Sequence, residues 1–211
     1  MSFVELGSTS WQKGLVALGC ELDNTKQEQL QAYLSLLQRW NKVYNLTAVR
    51  DPVQMLPLHL WDSLSVAQLV RGESCLDVGS GAGLPGIPLA IMYPQRAFTL
   101  LDTNGKKTRF IQQAVLELGL KNATVVHSRV ELWQPEHKFA AIVSRAFASL
   151  SDFVTVSAMH LQDEGVLYAM KGRYPAQEID ALPSGWSVVK AHNLVVPDLD
   201  AERHLLELKF S

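Results

Sequence analysis

A glycine-rich segment that follows a short apolar run constrains this chain more than any other feature. Residues 76–86 read LDVGSGAGLPG, and a second apolar run ends 23 residues after Gly79, in Leu101 and Asp102. The pattern predicts a strand, a glycine turn, a helix and a second strand with a carboxylate at its tip, an arrangement that holds a nucleotide-type ligand at the end of a parallel sheet. The glycines let the backbone approach such a ligand without an intervening Cβ atom, and the carboxylate can accept both hydroxyls of a ribose.

Asp77 helps to decide which cofactor such a loop can hold. In the dinucleotide fingerprint, the residues before the first glycine lie in a buried parallel strand, which prefers apolar side chains. A buried carboxylate is costly unless it is paired or hydrogen-bonded, so we expect Asp77 to reach loop amides or a cationic ligand beyond them. Leu84 occupies the position of the third fingerprint glycine, and the G-x-G-x-x-G match at Gly81, Gly83 and Gly86 begins too far past the strand. Both departures disfavour an NAD oxidoreductase.

The segment at the strand end, D-x-G-x-G-x-G, resembles motif I of the class I S-adenosylmethionine-dependent methyltransferases. This resemblance implies S-adenosylmethionine as the cofactor. A tight turn without a ligand is the weaker explanation, because four glycines reduce local order and need a reason.

Composition limits the classes of protein to which this chain can belong. The chain has 211 residues, of which 47% are apolar and 19% charged, as in a globular protein of one domain or one domain with a small extension. It contains neither a long apolar span nor a secretory leader pattern, which predicts a cytoplasmic protein that does not enter a membrane. Cys20 and Cys75 are expected to be small buried residues. The net charge of −2 argues against non-specific coating of nucleic acid but does not exclude a small basic face.

Hydrophobic spacing predicts helices in the first 70 residues and alternating strands and helices afterwards. One helix covers residues 24–46, with Asn24 or Thr25 as its cap, and a second runs from Pro52 to about residue 69. We therefore expect a helical extension over residues 1–70 and a Rossmann-like α/β domain over residues 71–211. Within it we predict strands at 75–78, 97–101, 124–126, 140–143 and 166–170, helices at 85–92, 106–118 and 150–161, and β-like runs from 186 and over 204–210.

Five segments, in order along nearly the whole chain, resemble one family. They are RWNKVYNLT at 39–47, HLWDSL at 59–64, the glycine segment at 77–88, SRAF at 144–147 and ERHL at 202–205. Together they resemble the bacterial RsmG family, also called glucose-inhibited division protein B. The resemblance implies a class I methyltransferase fold with seven mostly parallel strands and a reversed last strand. It also implies methylation of N7 of one guanine in small-subunit ribosomal RNA.

The resemblance assigns roles to individual residues. It implies that Arg145 lies at the mouth between cofactor and substrate and takes part in catalysis. The residues implied to bind the cofactor are Asp77, Gly79, Gly81, Gly83, Leu84, Asp102, Val130, Glu131 and Arg145. Apart from the resemblance, Lys106 and Lys107 in a basic cluster and Lys171 and Arg173 after a predicted strand are candidates for RNA contact, with solvated surface charges as the alternative. We expect a monomer without a metal whose partner is small-subunit ribosomal RNA, within an assembled or assembling subunit.

The chemistry of guanine N7 agrees with the residues available. N7 has an in-plane lone pair and no proton to lose, so transfer needs no general base and depends mainly on positioning. His59 is a possible base, but a single histidine in a helical segment is more often packed or capped. The alternatives are a methyltransferase acting on another RNA, a protein or a small molecule, and a nucleotide-binding module without catalysis.

Overall fold

A seven-stranded sheet forms the centre of the molecule, for which a computed structural model describes residues 8–145 and 147–211. The strands are β1 (Ser74–Val78), β2 (Ala97–Asp102), β3 (Ala123–His127), β4 (Phe139–Ser144), β5 (Leu161–Lys171), β6 (Trp186–Asn193) and β7 (His204–Phe210). Their order across the sheet is β3-β2-β1-β4-β5-β7-β6. Strands β1 to β5 pair in parallel, whereas β7 runs antiparallel to both β5 and β6. The expected α/β fold with a reversed last strand is confirmed.

Helices cover both faces of the sheet. They are α1 (Ser8–Ala17), α2 (Asn24–Tyr44), α3 (Pro52–Met55), α4 (Asp62–Leu64), α5 (Gly86–Met92), α6 (Gly105–Glu117), α7 (Leu150–Ser157) and α8 (Ala176–Asp180). A π-helical turn, Leu56–Trp61, joins α3 to α4, and 3₁₀ turns lie at Val130–Leu132 and Ala158–His160.

Strand β1 lies in the interior of the sheet. Leu76 pairs with Thr99 of β2 on one side and with Ile142 of β4 on the other. Such a strand reads as a continuous apolar run because it is buried on both faces. The carboxyl ends of β1, β2 and β4 share one edge of the sheet, and the loops that follow them build the candidate site.

Helix α2 is the longest element of the N-terminal region. It buries Leu30, Tyr33, Leu34 and Leu37 along one face, as the spacing predicts. The predicted cap was wrong: Asp23 caps the helix by accepting a hydrogen bond from the amide of Lys26 at 2.8 Å. An acidic side chain one residue earlier serves equally well, because it also reaches the free amides of the first turn.

Two predicted helices differ from the structure. The helix expected from Pro52 to residue 69 ends at Leu64 and contains the π-helical turn, a distortion that hydrophobic spacing does not report. The helix expected over 150–161 gives way to a 3₁₀ turn, and β5 begins at Leu161, five residues earlier than predicted. The polar residues 162–164 concealed this part of the strand, and a register shift against β4 accompanies it.

The N-terminal helices share a hydrophobic core with the α/β domain. Trp11 of α1 and Leu30 of α2 belong to the same buried cluster as Ile87 of α5 and Phe110 of α6. Each fully buried side chain of this size contributes about 1.5–3 kcal/mol of hydrophobic stabilisation. The division at residue 70 remains a prediction. Within the described part of the chain, no helix is long and apolar enough to cross a membrane.

Candidate active site

The glycine loop between β1 and α5 adopts a backbone that only glycine tolerates well. Gly79, Gly81 and Gly83 have φ of 72°, 60° and 83°. A Cβ atom on Gly83 would lie 2.7 Å from Cγ1 of Ile87, so this glycine permits close packing, whereas a Cβ atom on Gly81 would lie 3.9 Å from its nearest neighbours, the carbonyl of Gly79 and Nζ of Lys107. The hydroxyl of Tyr33 in α2 donates to the carbonyl of Ala82 at 2.6 Å and ties the loop to the N-terminal helices.

Asp77 lies beneath this loop and is 1% exposed. Its Oδ2 accepts the amide hydrogen of Gly86 at 2.9 Å, as expected for a carboxylate that reaches a loop amide. Its Oδ1 has no hydrogen-bond partner among the described residues. Burial raises the pKa of Asp77 to about 7, against the opposing effects of Gly86, Ser80 and Arg145. The carboxyl group of Asp77 is therefore partly protonated near pH 7.

The first cavity opens at the carboxyl ends of β1 and β2 and has a volume of about 380 Å³. Its walls include residues from the glycine loop, the tip of β2, α6 and the turn after β3: Val78, Gly79, Leu101, Asp102, Thr103, Lys107, Arg129, Val130, Glu131 and Phe147. Asp102 Oδ2 accepts from the amide of Gly81 and Oδ1 from that of Asn104, both at 2.8 Å. Each oxygen retains a second lone pair toward a ligand.

A second cavity, of about 180 Å³, is lined by residues of the glycine loop. We call it the middle cavity because it shares lining residues with the first cavity and with a third one described below. It shares Gly79 and Lys107 with the first cavity, so the two spaces adjoin. Leu46 and Thr47, from the segment after α2, line its outer wall, and Arg145 lines it from the end of β4. Gly81 and Leu84 also face this cavity, whereas Gly83 is not among its lining residues.

A third cavity, of about 370 Å³, shares His59 and Arg145 with the middle cavity. Asp62, at its wall, is 2% exposed and accepts from Arg145 Nη1 at 2.9 Å and from Arg203 Nε at 2.8 Å. This carboxylate satisfies two guanidinium groups that are themselves half-buried. Breaking such a buried pair is costly because the remaining charge stays desolvated. Arg145 therefore has a defined orientation.

His59 is packed rather than free, as expected for a single histidine in a helical segment. Its Nδ1 lies 3.0 Å from the carbonyl of Leu58 and its Nε2 lies 2.9 Å from the hydroxyl of Thr47. The carbonyl can only accept, so Nδ1 carries the hydrogen and Nε2 accepts from Thr47. Burial, together with the charge of Arg145, lowers the pKa of His59 to about 4. The imidazole is neutral near pH 7, and both of its nitrogens are occupied.

The basic candidates for RNA contact differ in their surroundings. Lys106 and Arg173 are exposed, whereas Lys107 lines the first and middle cavities. Lys171 donates to the carbonyl of Phe147 at 3.1 Å and to that of Ala148 at 3.2 Å, and it pairs with Glu178 at 2.7 Å. Because its three donors are used within the protein, the structure weighs against the phosphate contact predicted for Lys171.

Sequence reasoning gave no role to several residues of the site. Asp62 and Arg203 were noted only as parts of family-like segments, and the structure joins them through Arg145. Tyr33 lies on the buried face of α2, and helical spacing does not indicate that its hydroxyl holds the glycine loop. Of the predicted cofactor residues, Gly79, Asp102, Val130 and Glu131 meet in the first cavity, whereas Arg145 is not among its lining residues.

The first cavity suits a nucleoside-type cofactor. Its volume lies within the range of small-molecule sites. The carboxylate at the tip of β2, Asp102, matches two ribose hydroxyls, and Gly79, Val130 and Glu131 line the same cavity. These features fit S-adenosylmethionine.

Solved structures share this fold. The glycopeptide N-methyltransferase MtfA in complex with S-adenosylmethionine superimposes with a TM-score of 0.63 at 11% identity, covering 72% of this chain and 87% of that one. TrmN from Thermus thermophilus superimposes with a TM-score of 0.55 at 18% identity, covering 71% of this chain and 47% of that one. The fold is that of the class I S-adenosylmethionine-dependent methyltransferases.

Sequence relatives specify the family. The family model described as GidB, rRNA small subunit methyltransferase G, matches residues 26–206, and the chain belongs to this family. A relative from Ectopseudomonas mendocina named ribosomal RNA small subunit methyltransferase G is 53% identical over 214 residues, covering 100% of both chains. Another of the same name, from Nitrosococcus oceani, is 50% identical over 204 residues, covering 97% of this chain and 95% of the relative.

Proposed function

We propose that this protein methylates N7 of one specific guanine in small-subunit ribosomal RNA. The observation that carries this proposal is the family match across residues 26–206, together with relatives named for small-subunit ribosomal RNA. S-Adenosylmethionine, when bound, supplies a methyl group on a positively charged sulfur. The protein holds the cofactor, orients the acceptor base and excludes competing nucleophiles.

The cofactor is proposed to occupy the first cavity and the adjoining loop. Asp102 accepts the ribose hydroxyls, and Val130 and Glu131 border the adenine with a backbone amide and a side chain. Gly79, Gly81, Gly83 and Leu84 shape the loop around the methionine part, and Asp77 supports that loop from below. Supporting this assignment, Asp102, Val130 and Glu131 line one cavity with Gly79.

The acceptor guanine is proposed to enter through the middle cavity. Its N7 needs no base, which agrees with a neutral His59 whose two nitrogens are already hydrogen-bonded. Methylation places a positive charge on the purine, and an unpaired arginine nearby would oppose that charge. Asp62 offsets the charge of Arg145 at 2.9 Å, so the arginine can contact the base at a smaller electrostatic cost.

The proposal extends to the oligomeric state of the enzyme, its location and the state of its substrate. We propose that the enzyme acts as a monomer in the cytoplasm on an assembled or assembling subunit. A protein with a net charge of −2 makes few phosphate contacts, so recognition depends on a presented RNA shape. No metal is required in this proposal, because the N7 lone pair is nucleophilic without activation.

Transfer of a tritiated methyl group to purified small subunits tests the proposal. We expect label in ribosomal RNA and strand cleavage at a single N7-methylguanine. Arg145→Ala should lower turnover at least tenfold, whereas Arg71→Ala, which removes the same charge at the opposite end of β1, should not. Label in protein, or at an exocyclic or carbon position of a base, would overturn the assignment. Label at N7 with a fully active Arg145→Ala enzyme would remove Arg145 from the site.

A further inference from the structure

Positive charge is concentrated in two segments of a chain that is otherwise acidic. Residues 39–50 and 104–113 contain six of the 19 lysines and arginines and no aspartate or glutamate. The rest of the chain therefore has 13 basic and 21 acidic residues. The six basic residues are Arg39, Lys42, Arg50, Lys106, Lys107 and Arg109. A polyanion would be attracted to these two segments and repelled by most of the remaining surface.

The fold places the two segments side by side. Near the start of α2, Gln29 donates to the carbonyl of Leu118 at the end of α6 at 2.8 Å. Near the end of α2, Trp40 packs against Phe110 in the first half of α6 with ring centroids 5.7 Å apart. The helices thus run in opposite directions, and the end of α2 adjoins the beginning of α6. We call the exposed residues Lys42, Tyr44, Arg50, Lys106 and Arg109 the α2–α6 surface.

The charges of the α2–α6 surface are not neutralised by the protein. Throughout residues 8–145 and 147–211, its four basic side chains make no ion pair with a carboxylate. Arg50 donates to the side-chain oxygen of Asn45 at 2.8 Å, which orients the guanidinium without removing its charge. Arg39, beside the surface, has a solvent-exposed contact with Glu117 at 3.3 Å, a type of pair that contributes little stability.

An exposed aromatic residue, Tyr44, ends α2 in the same segment as Lys42 and Arg50. Tyr44 is 44% exposed, and its ring packs on Trp40 with centroids 5.1 Å apart. Trp40 is supported in turn by Phe110. The tyrosine ring is therefore held in place while part of it faces solvent. A supported aromatic ring in a basic segment suits the stacking of an unpaired base, because every base has a π-face and the neighbouring phosphates are anionic.

The α2–α6 surface is continuous with the candidate active site. The chain leaves α2 at Tyr44 and reaches Leu46 and Thr47, which line the middle cavity. Lys107, one residue after Lys106 in α6, lines both the first and middle cavities. A strand lying on the surface therefore has a short path to the position proposed for the acceptor guanine.

We propose that the α2–α6 surface binds single-stranded RNA adjacent to the methylated nucleotide. Tyr44 stacks on an unpaired base, and Lys42, Arg50, Lys106 and Arg109 contact the flanking phosphates. The RNA is single-stranded because a base within a duplex does not present a free face to a side chain. This inference rests on the proposed function and adds the element that selects an exposed RNA segment for the site.

Steady-state methylation of purified small subunits tests the surface. Tyr44→Ala should raise the KM for subunits about tenfold, in keeping with the loss of one stacked base. A Lys42→Ala, Lys106→Ala, Arg109→Ala triple variant should raise the KM at least as much. It should also reduce the slope of log affinity against log salt by about two, because each single-strand phosphate contact contributes about 0.7. For both variants kcat and the calorimetric Kd for S-adenosylmethionine should remain unchanged.

Matched controls separate binding from folding and from the reaction itself. Tyr44→Phe keeps the ring and should behave as the wild type. Phe210→Ala removes an exposed ring that also packs on a tryptophan, Trp186, and Lys190→Ala removes a charge from edge strand β6; neither should change the KM. Thermal unfolding verifies that each variant is folded. If the wild type labels RNA and the Tyr44→Ala and triple variants keep its KM, the surface inference is overturned. If the wild type leaves ribosomal RNA unlabelled, the proposed function fails.

Discussion

Replacing the buried Asp77 by asparagine should change how stability depends on pH. The carboxylate is 1% exposed, and its Oδ2 accepts a hydrogen bond from the amide of Gly86 at 2.9 Å. Burial raises its pKa from 3.8 to about 7, so the folded protein holds the proton more tightly than the unfolded chain. The stabilisation from this group is fully present below pH 3.8 and is lost as pH rises toward 7.

The difference between the folded and unfolded pKa of Asp77 determines how much the free energy of unfolding changes with pH. The interval between 3.8 and about 7 corresponds to about 4 kcal/mol, of which about 3 kcal/mol falls between pH 5 and pH 8. Asp77→Asn cannot ionise and lacks this contribution to the pH dependence. The unpaired asparagine amide lowers the free energy of unfolding of the variant by about 1–3 kcal/mol, and this loss is the same at every pH because the amide does not titrate. The free energy of unfolding of the variant, relative to the wild type, should therefore increase by about 3 kcal/mol from pH 5 to pH 8.

Urea denaturation of the cofactor-free protein at the two pH values measures this difference. Asp163→Asn, at an exposed position of β5, provides the matched control and should follow the wild type at both. The reasoning would be refuted if the Asp77→Asn and wild-type free energies of unfolding differed by the same amount at pH 5 and at pH 8. In that case the carboxylate would be hydrated, or stabilised as an anion, in the folded protein.

Two further predictions concern the carboxylates of the site. Asp102→Ala should weaken S-adenosylmethionine binding at least tenfold in calorimetry without unfolding the protein, because hydrogen bonds to a charged group contribute about 1.5–3 kcal/mol each; unchanged affinity would place the ribose elsewhere. Asp62→Ala should lower the free energy of unfolding by about 3 kcal/mol in urea, because two half-buried guanidinium groups lose their common acceptor. A loss below about 1 kcal/mol would mean that water replaces the carboxylate.

The order of the elements and the cofactor loop could be predicted from the sequence because they depend on local patterns. Burial of a parallel strand on both faces requires apolar runs, and two such runs lead to Asp77 and Asp102. The positive φ angles of the turn between them require glycine. Helix α2 was predictable as well, because the spacing of its apolar residues reports which face is buried. Hydrophobic spacing did not reveal the π-helical turn at Leu56–Trp61, because that turn departs from the spacing on which the inference depends.

Only the tertiary structure decided which side chains meet. Arg145 and Arg203 lie 83 and 141 residues from Asp62, and the sequence marked each as part of a separate segment without a partner. Lys171 is the last residue of β5, yet Glu178 and two carbonyls accept hydrogen bonds from its ammonium group. Sequence patterns report the conformation of one element at a time. Which charges are paired and which remain free for a ligand depends on how distant elements pack against one another.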